Sequence, residues 1–463
     1  MTLKRNAASF RDPSGYIFEK NDIVYRAVSD QYISNYNLLM DSGLYNELTK
    51  KGLLISHQET KINTSDKNIV KVIAPRKIHF ISYPYEWTYG QLKDAALATL
   101  KIQQISMRYG MSLKDATPFN IQYVDGKACL IDTLSFEKWT NNKPWVPYKQ
   151  FCEQFLSPLA IAALCDVRIL SLQQNMIDGI PLDFAASLLP IRARFKLGII
   201  IHILLHAKAQ NKFKKGNRYL SRPVSFGAST LTGLIESLKN TVLSLNLKNQ
   251  EGKWGTYYQD CIGSAKYLQQ KQEFIEQFVQ ESNPKVVWDI GANIGKFSHL
   301  IGRKNIEVIS IDGDSISVEK NYRLCKNEKV NSVLPLIIDI CSPTPSIGWG
   351  NKERLSLIQR GPADLIIALA LIHHLAIAKN IPFEYISSLF ASCSKWLVIE
   401  FVPKDDENVK TMLSSREDIF NKYSKEEFEI EFRKHFNILN IQPLLDSNRT
   451  LYFMKKINEN VIK

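Results

Sequence analysis

An α/β fold in two domains is predicted by three features of the 463-residue chain. From about residue 284, apolar segments of strand length alternate with segments of helical period, at the spacing of βα units in a parallel sheet. The chain then closes on two strand-like segments, 436–442 and 450–455, joined by the polar turn Asp446-Ser447-Asn448, which reads as an antiparallel hairpin. The first half differs in pattern and in charge. A small β-containing part (1–85) precedes a helical part (86–247), so this half reads as a separate α+β domain. Residues 1–250 hold 32 basic and 19 acidic side chains while residues 251–463 hold 27 of each, so the whole net charge of +13 lies in the first half. Attraction for an anionic partner is expected there.

Each element follows from local pattern. Residues 16–28 read as two short strands around Lys20-Asn21-Asp22, and 30–54 as helix or helices, with apolar residues at Tyr32, Tyr36, Leu39, Leu44 and Leu48. The polar stretch 56–68 has the composition of an exposed loop, and 77–83 (KIHFISY) reads as a strand. A helix at 89–109 leads to a loop at 111–120, two strands around Asp125-Gly126, and a helical stretch from 148 to 247. Residues 248–283 read as a linker and leading helix. Beyond them the predicted strands are 286–290, 308–312, 334–340, 365–370 and 396–401, with helices at 296–304, 315–327, 383–395 and near 424–435.

Composition excludes several classes. The seven cysteines (Cys129, Cys152, Cys165, Cys261, Cys325, Cys341 and Cys393) show no CxxC spacing, against both a zinc cluster and a disulfide framework. The longest strongly apolar run, 197–205, contains His202 and is about half a bilayer span. The N-terminus MTLKRNAASFRDP has no apolar core of signal-peptide length. A cytoplasmic protein without a transmembrane segment is the expectation.

The chemistry of the second half centres on VVWDIGANIGKF, residues 286–297, an apolar strand entering a glycine turn and a helix. Gly291 and Gly295 leave the turn without a Cβ to obstruct a ligand, and the helix start offers unpaired amides to a polar group. Asp289 lies at the strand's carboxyl edge. Asp312 ends the next strand, where a carboxylate can accept both hydroxyls of a ribose, and Asp339 ends the third. The fourth strand runs into ALALIHHL, placing His373 and His374 at the mouth of the same site. A histidine with an ordinary pKa of ~6.5 is mostly neutral at cellular pH and can take a proton from a hydroxyl or amine. The other reading is that the pair orients backbone or caps a helix. Glu400 ends the fifth strand in LVIEF, with Asp405 and Asp406 on the adjoining loop.

Three carboxylates at successive strand ends, the DxGxNxG turn and the terminal hairpin give residues 284–456 a specific likeness. They resemble a class I S-adenosylmethionine-dependent methyltransferase, a Rossmann-like domain whose mostly parallel sheet ends in such a hairpin. The resemblance implies S-adenosyl-L-methionine as methyl donor, with Asp289, Gly291, Asn293 and Gly295 shaping the methionine part of its site. It implies that Asp312 binds the ribose and that Asp339 approaches the adenine. It also puts His373, His374 and Glu400 beside the methyl acceptor as candidates for a general base, with no metal. Asn293 stands where many members have Gly. A base is not strictly required, because alignment of donor methyl and acceptor can carry much of the displacement.

The first half contains LKDATPFNIQYVDGKACLIDTLSFE, residues 113–137. Asp115 precedes Asn120 by five positions and Asp132 follows twelve later, the spacing of a kinase catalytic loop and its metal-binding carboxylate. This half resembles small-molecule kinases of the aminoglycoside-phosphotransferase type, which implies ATP and Mg²⁺ if the Asp115/Asn120/Asp132 site is live. The departures are specific: no Gly-rich loop beyond Asp12-Pro13-Ser14-Gly15, Arg26 in place of the strand Lys, Lys114 before the loop Asp, and Thr133-Leu134 after Asp132. Arg presents a different geometry to phosphate, so a degenerate, substrate-holding domain is the alternative. Phrases such as SYPYEWTYGQLKDAALATL, LKDATPFNIQ and RGPADLIIALALIHHLAI extend the likeness over nearly the whole chain. They resemble the NoeA-like, nodulation-associated bacterial proteins, which pair a kinase-like segment with a methyltransferase.

Between Asp183 and Glu236 there is no acidic residue, while Arg192, Arg194, Lys196, Lys208, Lys212, Lys214, Lys215, Arg218 and Arg222 all fall in the stretch 192–222. A phosphate-bearing or other anionic partner suits that charge, with a solvated basic face as the alternative. Aromatics for stacking on bases are sparse, which argues against nucleic acid. His202 and His206 lie one helical turn apart without an HExxH signature, and a packed helix explains them better than a metal. Three functions remain: methyl transfer to an unidentified acceptor, a small molecule or glycan, held partly by the first domain; a bifunctional kinase-methyltransferase acting on such a hydroxyl acceptor; or a non-catalytic scaffold on an anionic partner.

Overall fold

Two sheets organise the chain, one in each half. The computed structural model describes residues 4–62, 64–141, 143–209, 227–247, 265–414 and 417–457. The chain divides into two units: 1–250 with 347–354, and 251–346 with 355–463.

In the first unit, strands β1 (Lys4–Arg5), β2 (Ile17–Lys20), β3 (Ile23–Ser29), β4 (His57–Thr60) and β5 (Ile69–Pro75) form an antiparallel sheet in the order β1-β2-β3-β5-β4. Asn21 and Asp22 both take positive φ, 52° and 60°, the requirement of a two-residue hairpin turn whose twist matches its strands. Helices Ile33–Asp41 and Leu44–Lys50 follow β3. Tyr32 and Tyr36 pack there with Val28, Ile73 and Leu134. Helix Tyr89–Arg108 begins at a capping box, in which the Thr88 hydroxyl accepts from the Gln91 N–H and the Gln91 side chain accepts from the Thr88 N–H. Beyond it, β6 (Met111–Leu113) pairs with β9 (Phe136–Lys138), and β7 (Ile121–Val124) with β8 (Lys127–Leu130) across Asp125-Gly126. The described part of 148–247 is mainly helical.

Two expectations fail in this unit. The predicted loop 56–68 contains β4, a polar edge strand whose His57, Gln58, Glu59 and Thr60 carry no apolar alternation to announce it. Residues 77–83 are irregular where a strand was predicted. There the Gln122 side chain stands in for a neighbouring strand, accepting from the Ser82 N–H at 2.9 Å and donating to the Ser82 carbonyl at 2.8 Å.

In the second unit, helix Ala265–Ser282 precedes β10 (Val286–Ile290), β11 (Glu307–Asp312), β12 (Val333–Ile337), β13 (Ala363–Ala368), β14 (Ser394–Phe401), β15 (Phe436–Pro443) and β16 (Thr450–Lys456). The order is β12-β11-β10-β13-β14-β16-β15. The first five strands are parallel and buried on both faces, which is why they read as near-continuous apolar runs. The last strand inserts antiparallel between β14 and β15. This is the Rossmann-like α/β sheet with a terminal hairpin that the sequence predicts. Phe278 of the leading helix stacks on Phe453 of β16 at 4.7 Å, and both belong to the core with Val287, Val308 and Leu365. Residues 248–264 of the predicted linker lie outside the described residues. Chain order reverses direction across the sheet between β10 and β13, the switch point at which open α/β sheets bind ligands beyond the strands' carboxyl ends.

Candidate active site

The glycine turn is built as much by packing as by any ligand. Gly291, Asn293 and Gly295 take positive φ of 77°, 53° and 78°. The Gly291 and Ala292 N–H groups donate to the Ile311 carbonyl at 2.9 and 3.0 Å, tying the turn to β11. A Cβ on Gly295 would lie 2.4 Å from the Asn321 side chain, so glycine is required there by a neighbouring helix. A Cβ on Gly291 would meet Leu371, on the segment after β13, at 3.1 Å.

The three carboxylates occupy different environments. Asp289 is buried, with Ser298 Oγ 2.5 Å from its Oδ2 and 2.9 Å from Ser310 Oγ. Burial pushes its carboxyl up to about 6, against the opposing pull of Ser298 and the Lys271 ammonium. Asp312 is half-buried at the carboxyl end of β11, its Oδ2 accepting from the Asn293 N–H and its Oδ1 from the Asp314 N–H, both at 2.8 Å. Desolvation raises its pKa, and the two amides oppose that shift. Asn293 therefore acts through its main chain, fixing the carboxylate rotamer while each oxygen keeps a lone pair. Asp339 is exposed two residues beyond the end of β12, with Oδ1 accepting from the Cys341 N–H at 2.9 Å. Its Cβ would lie 3.6 Å from one on Gly313, beside Asp312.

His373 and His374 follow β13, their rings 4.2 Å apart. His373 has no exposed surface, and neither ring nitrogen has a hydrogen-bond partner. Burial, the neighbouring His374 and Arg449 hold its pKa well below the usual imidazole value; burial and Arg449 push His374 down to about 4. Both rings are neutral at pH 7. Glu400 of β14 differs sharply. Its Oε1 accepts from Tyr267 Oη at 2.5 Å, and its Oε2 from Lys271 Nζ at 2.6 Å and the Ala370 N–H at 2.7 Å. Arg449 lies 3.8 Å from Oε1 and pairs through Nε with Asp406 at 2.8 Å. Burial alone would raise the Glu400 carboxyl, but Lys271 and Arg449 outweigh it and hold it below the ordinary value. Ala370 sits at φ +50°, a conformation costly for a residue with a Cβ, and its N–H is held by this carboxylate.

In the first unit, Asp115, Asn120 and Asp132 meet in one hydrogen-bonded chain. Asn120 Nδ2 donates to Asp115 Oδ2 at 2.9 Å and lies 3.3 Å from Ser135 Oγ, which donates to Asp132 Oδ2 at 3.1 Å. Asp115 Oδ1 is buried without a partner, and burial raises its pKa. Asp132 Oδ1 is taken by Arg26 at 3.2 Å, and the same guanidinium pairs with Asp12. A Cβ on Gly15 would clash with the Ala27 carbonyl at 1.9 Å, so the segment carrying Asp12 is folded down on β3. The donor set fits a Mg²⁺-nucleotide only in part, since the group that would meet phosphate is already held by two carboxylates. His202 engages both ring nitrogens, with Tyr148 Oη at 2.8 Å and Ser237 Oγ at 2.9 Å. Arg192, Arg194 and Lys208 are exposed; Lys212, Lys214, Lys215, Arg218 and Arg222 lie outside the described residues.

Over 465 aligned residues the chain is 31% identical to nodulation protein NoeA of Rhizobium meliloti (strain 1021), across 98% of this chain and 96% of the relative. It belongs to the NoeA family. No family model matches the sequence. Solved structures with partial likeness include WbdD in complex with a kinase inhibitor, at 17% identity over 40% of each chain and a TM-score of 0.29. Another is magnesium protoporphyrin IX methyltransferase ChlM of Synechocystis PCC 6803 with bound SAH, at 15% identity over 44% of this chain and 93% of that one, TM-score 0.32. A third is N-methyltransferase NodS of Bradyrhizobium japonicum WM9, at 10% identity over 42% and 100%, TM-score 0.31. The chain spans two fifths of the WbdD chain.

Several site residues of this NoeA-family chain escape sequence reasoning. Lys271 and Tyr267 meet Glu400 across 129 and 133 positions of sequence and Arg449 meets it across 49, beyond any local pattern. One signal was available: Lys271 lies on the face of its helix shared by Tyr267, Ile275 and Phe278, where a lysine needs a partner. Among the described residues, no helix is long and apolar enough to cross a membrane.

Proposed function

We propose that the second unit transfers a methyl group from S-adenosyl-L-methionine to an acceptor bound in part by the first unit. The observation that carries this is the Asp312 carboxylate, fixed by two main-chain amides at the carboxyl end of β11, beside the point where the sheet's strand order reverses. A carboxylate held so needs no reorganisation to accept a pair of ribose hydroxyls. Gly291 would allow close approach of the donor, and Asp289 and Asp339 would border its methionine and adenine ends. The donor supplies an electrophilic methyl on a sulfonium. The chain's task is to align the acceptor and relieve it of a proton.

For the proton, the two histidines and Glu400 divide. His373 is neutral and has two unpartnered ring nitrogens, which suits accepting a hydrogen bond. With no exposed surface and a pKa held well below the usual imidazole value, it is a weak base that an acceptor must reach within the core, so alignment carries more of the transfer than proton removal. Glu400 is already surrounded by Tyr267, Lys271, Arg449 and the Ala370 N–H, which suits a positioning role for the segment leading to His373. For the first unit, the pairing of Arg26 with Asp12 and Asp132 favours holding an acceptor over phosphorylating it.

Isothermal titration with S-adenosylhomocysteine tests the donor assignment. Asp312→Ala removes two charge-assisted hydrogen bonds to the ligand, worth about 1.5–3 kcal/mol each, so affinity is expected to fall by about a hundredfold or more. Absence of binding in the parent chain, or equal binding by the variant, would sink the reading.

A further inference from the structure

Among the described residues 22 large apolar side chains are exposed, and seven of them fall within residues 184–205: Phe184, Leu188, Ile191, Phe195, Leu197, Ile201 and Leu205. Three are almost fully bare, at 75% for Ile191, 85% for Phe195 and 70% for Leu197. The elements that carry them are neighbours in space, since helix Leu182–Leu188 and the turn Ile191–Phe195 both pack against the helical segment Ile200–Leu205. Leu197, Ile201 and Leu205 recur every fourth residue and so share one face. Solvent-facing apolar residues scattered singly need no explanation, but a group gathered on three neighbouring elements points to a surface that is covered in use.

The charges around the group say what covers it. Arg194 and Lys208 are exposed among these residues, with Arg192 and the half-buried Lys196, and none of Arg194, Lys196 or Lys208 makes an ion pair among the described residues. No acid occurs from 184 to 235. We infer that this face docks on an anionic phospholipid surface, with Phe195, Leu197, Ile191 and their neighbours entering the headgroup boundary and Arg194 and Lys208 meeting lipid phosphates. Apolar insertion flanked by cations is the design of an interfacial segment, and it accounts for both halves of the observation. Nucleic acid would account for the cations alone, because the bare side chains are chiefly aliphatic and offer little to stack on bases. A second copy of the chain would set cations against cations across a two-fold axis. The inference does not depend on methyl transfer.

Cosedimentation of the full chain with vesicles tests it, comparing pure phosphatidylcholine with phosphatidylcholine containing phosphatidylglycerol. Partition onto the anionic vesicles is expected to exceed that onto neutral ones by at least tenfold and to weaken with salt. Phe195→Ser with Leu197→Ser, and separately Arg194→Glu with Lys208→Glu, should each reduce it by tenfold or more. All four side chains are exposed or nearly so, and unchanged melting temperature and S-adenosylhomocysteine binding would show that the fold is intact. The proposal is overturned if anionic vesicles leave the chain in the supernatant, or if both variants still sediment like the parent. It is equally overturned if the surface is found to drive self-association or oligonucleotide binding while vesicles are ignored.

Discussion

Replacing Lys271 by Met removes an ammonium 2.6 Å from Glu400 Oε2, where Lys271 is 4% exposed and Glu400 not at all. Methionine fills a similar volume without strain, so the cost is electrostatic: a buried carboxylate loses its nearest counter-charge. Breaking a buried pair by deleting one partner costs about 3–5 kcal/mol. The lower end applies here, because Arg449 at 3.8 Å, Tyr267 and the Ala370 N–H remain. About 3 kcal/mol corresponds to a fall in melting temperature of roughly 6–12 °C for a unit of this size. Adding Glu400→Gln removes the stranded charge while keeping an acceptor for Tyr267 and Ala370, so the double variant should recover about half the loss or more. Glu400 is held below the ordinary carboxylate value, so the folded chain binds fewer protons there than the unfolded one. The pair's contribution is therefore full above about pH 4.5 and lost as pH falls through the folded pKa. Urea unfolding at pH 7, followed by circular dichroism, measures the single and double variants. A Lys271→Met cost under about 1 kcal/mol, or a double variant equal to the sum of the singles, would refute the reasoning.

Three further outcomes are expected. The Asp289 carboxyl, pushed up to about 6 by burial, binds a proton more readily in the folded chain, so stability should fall as pH rises between about 4 and 6, by up to about 3 kcal/mol. Asp289→Asn should flatten that slope in urea titrations; an unchanged slope would place the titration elsewhere. Gly295→Ala forces φ +78° on a residue with a Cβ and drives it to 2.4 Å from Asn321, so unfolding measurements should show a loss of about 2 kcal/mol or more. In the first unit, ATP with Mg²⁺ should raise the melting temperature little in the parent and more in Asp12→Ala, which releases Arg26 from one of its two carboxylates; a large parental shift abolished by Asp132→Ala would favour phosphoryl transfer instead.

The sheet of the second unit was legible because parallel strands buried on both faces leave apolar runs, and its carboxylates because they end those runs. Asp312 and Asp289 are where the strand pattern put them, whereas Asp339, inside the predicted strand 334–340, lies two residues past the observed strand, which stops at Ile337. What was not legible depends on distant partners. Glu400 looked like a free carboxylate in LVIEF until Lys271, Tyr267 and Arg449 were seen around it. The glycine at 295 suggested room for a ligand, and Asn321 fills that room. In the first unit, Gln122 mimics a strand edge for 77–83, and the acid-free window gave its charge but not the bare apolar face beside it.

Crystals of the full chain soaked with S-adenosylhomocysteine test the central claim most directly. The account predicts difference density for the nucleoside at the carboxyl ends of β10 and β11, with the ribose hydroxyls on Asp312 and the thioether end beyond Gly291. Density elsewhere, or none at millimolar ligand in crystals whose Asp312 is accessible to solvent, would contradict it.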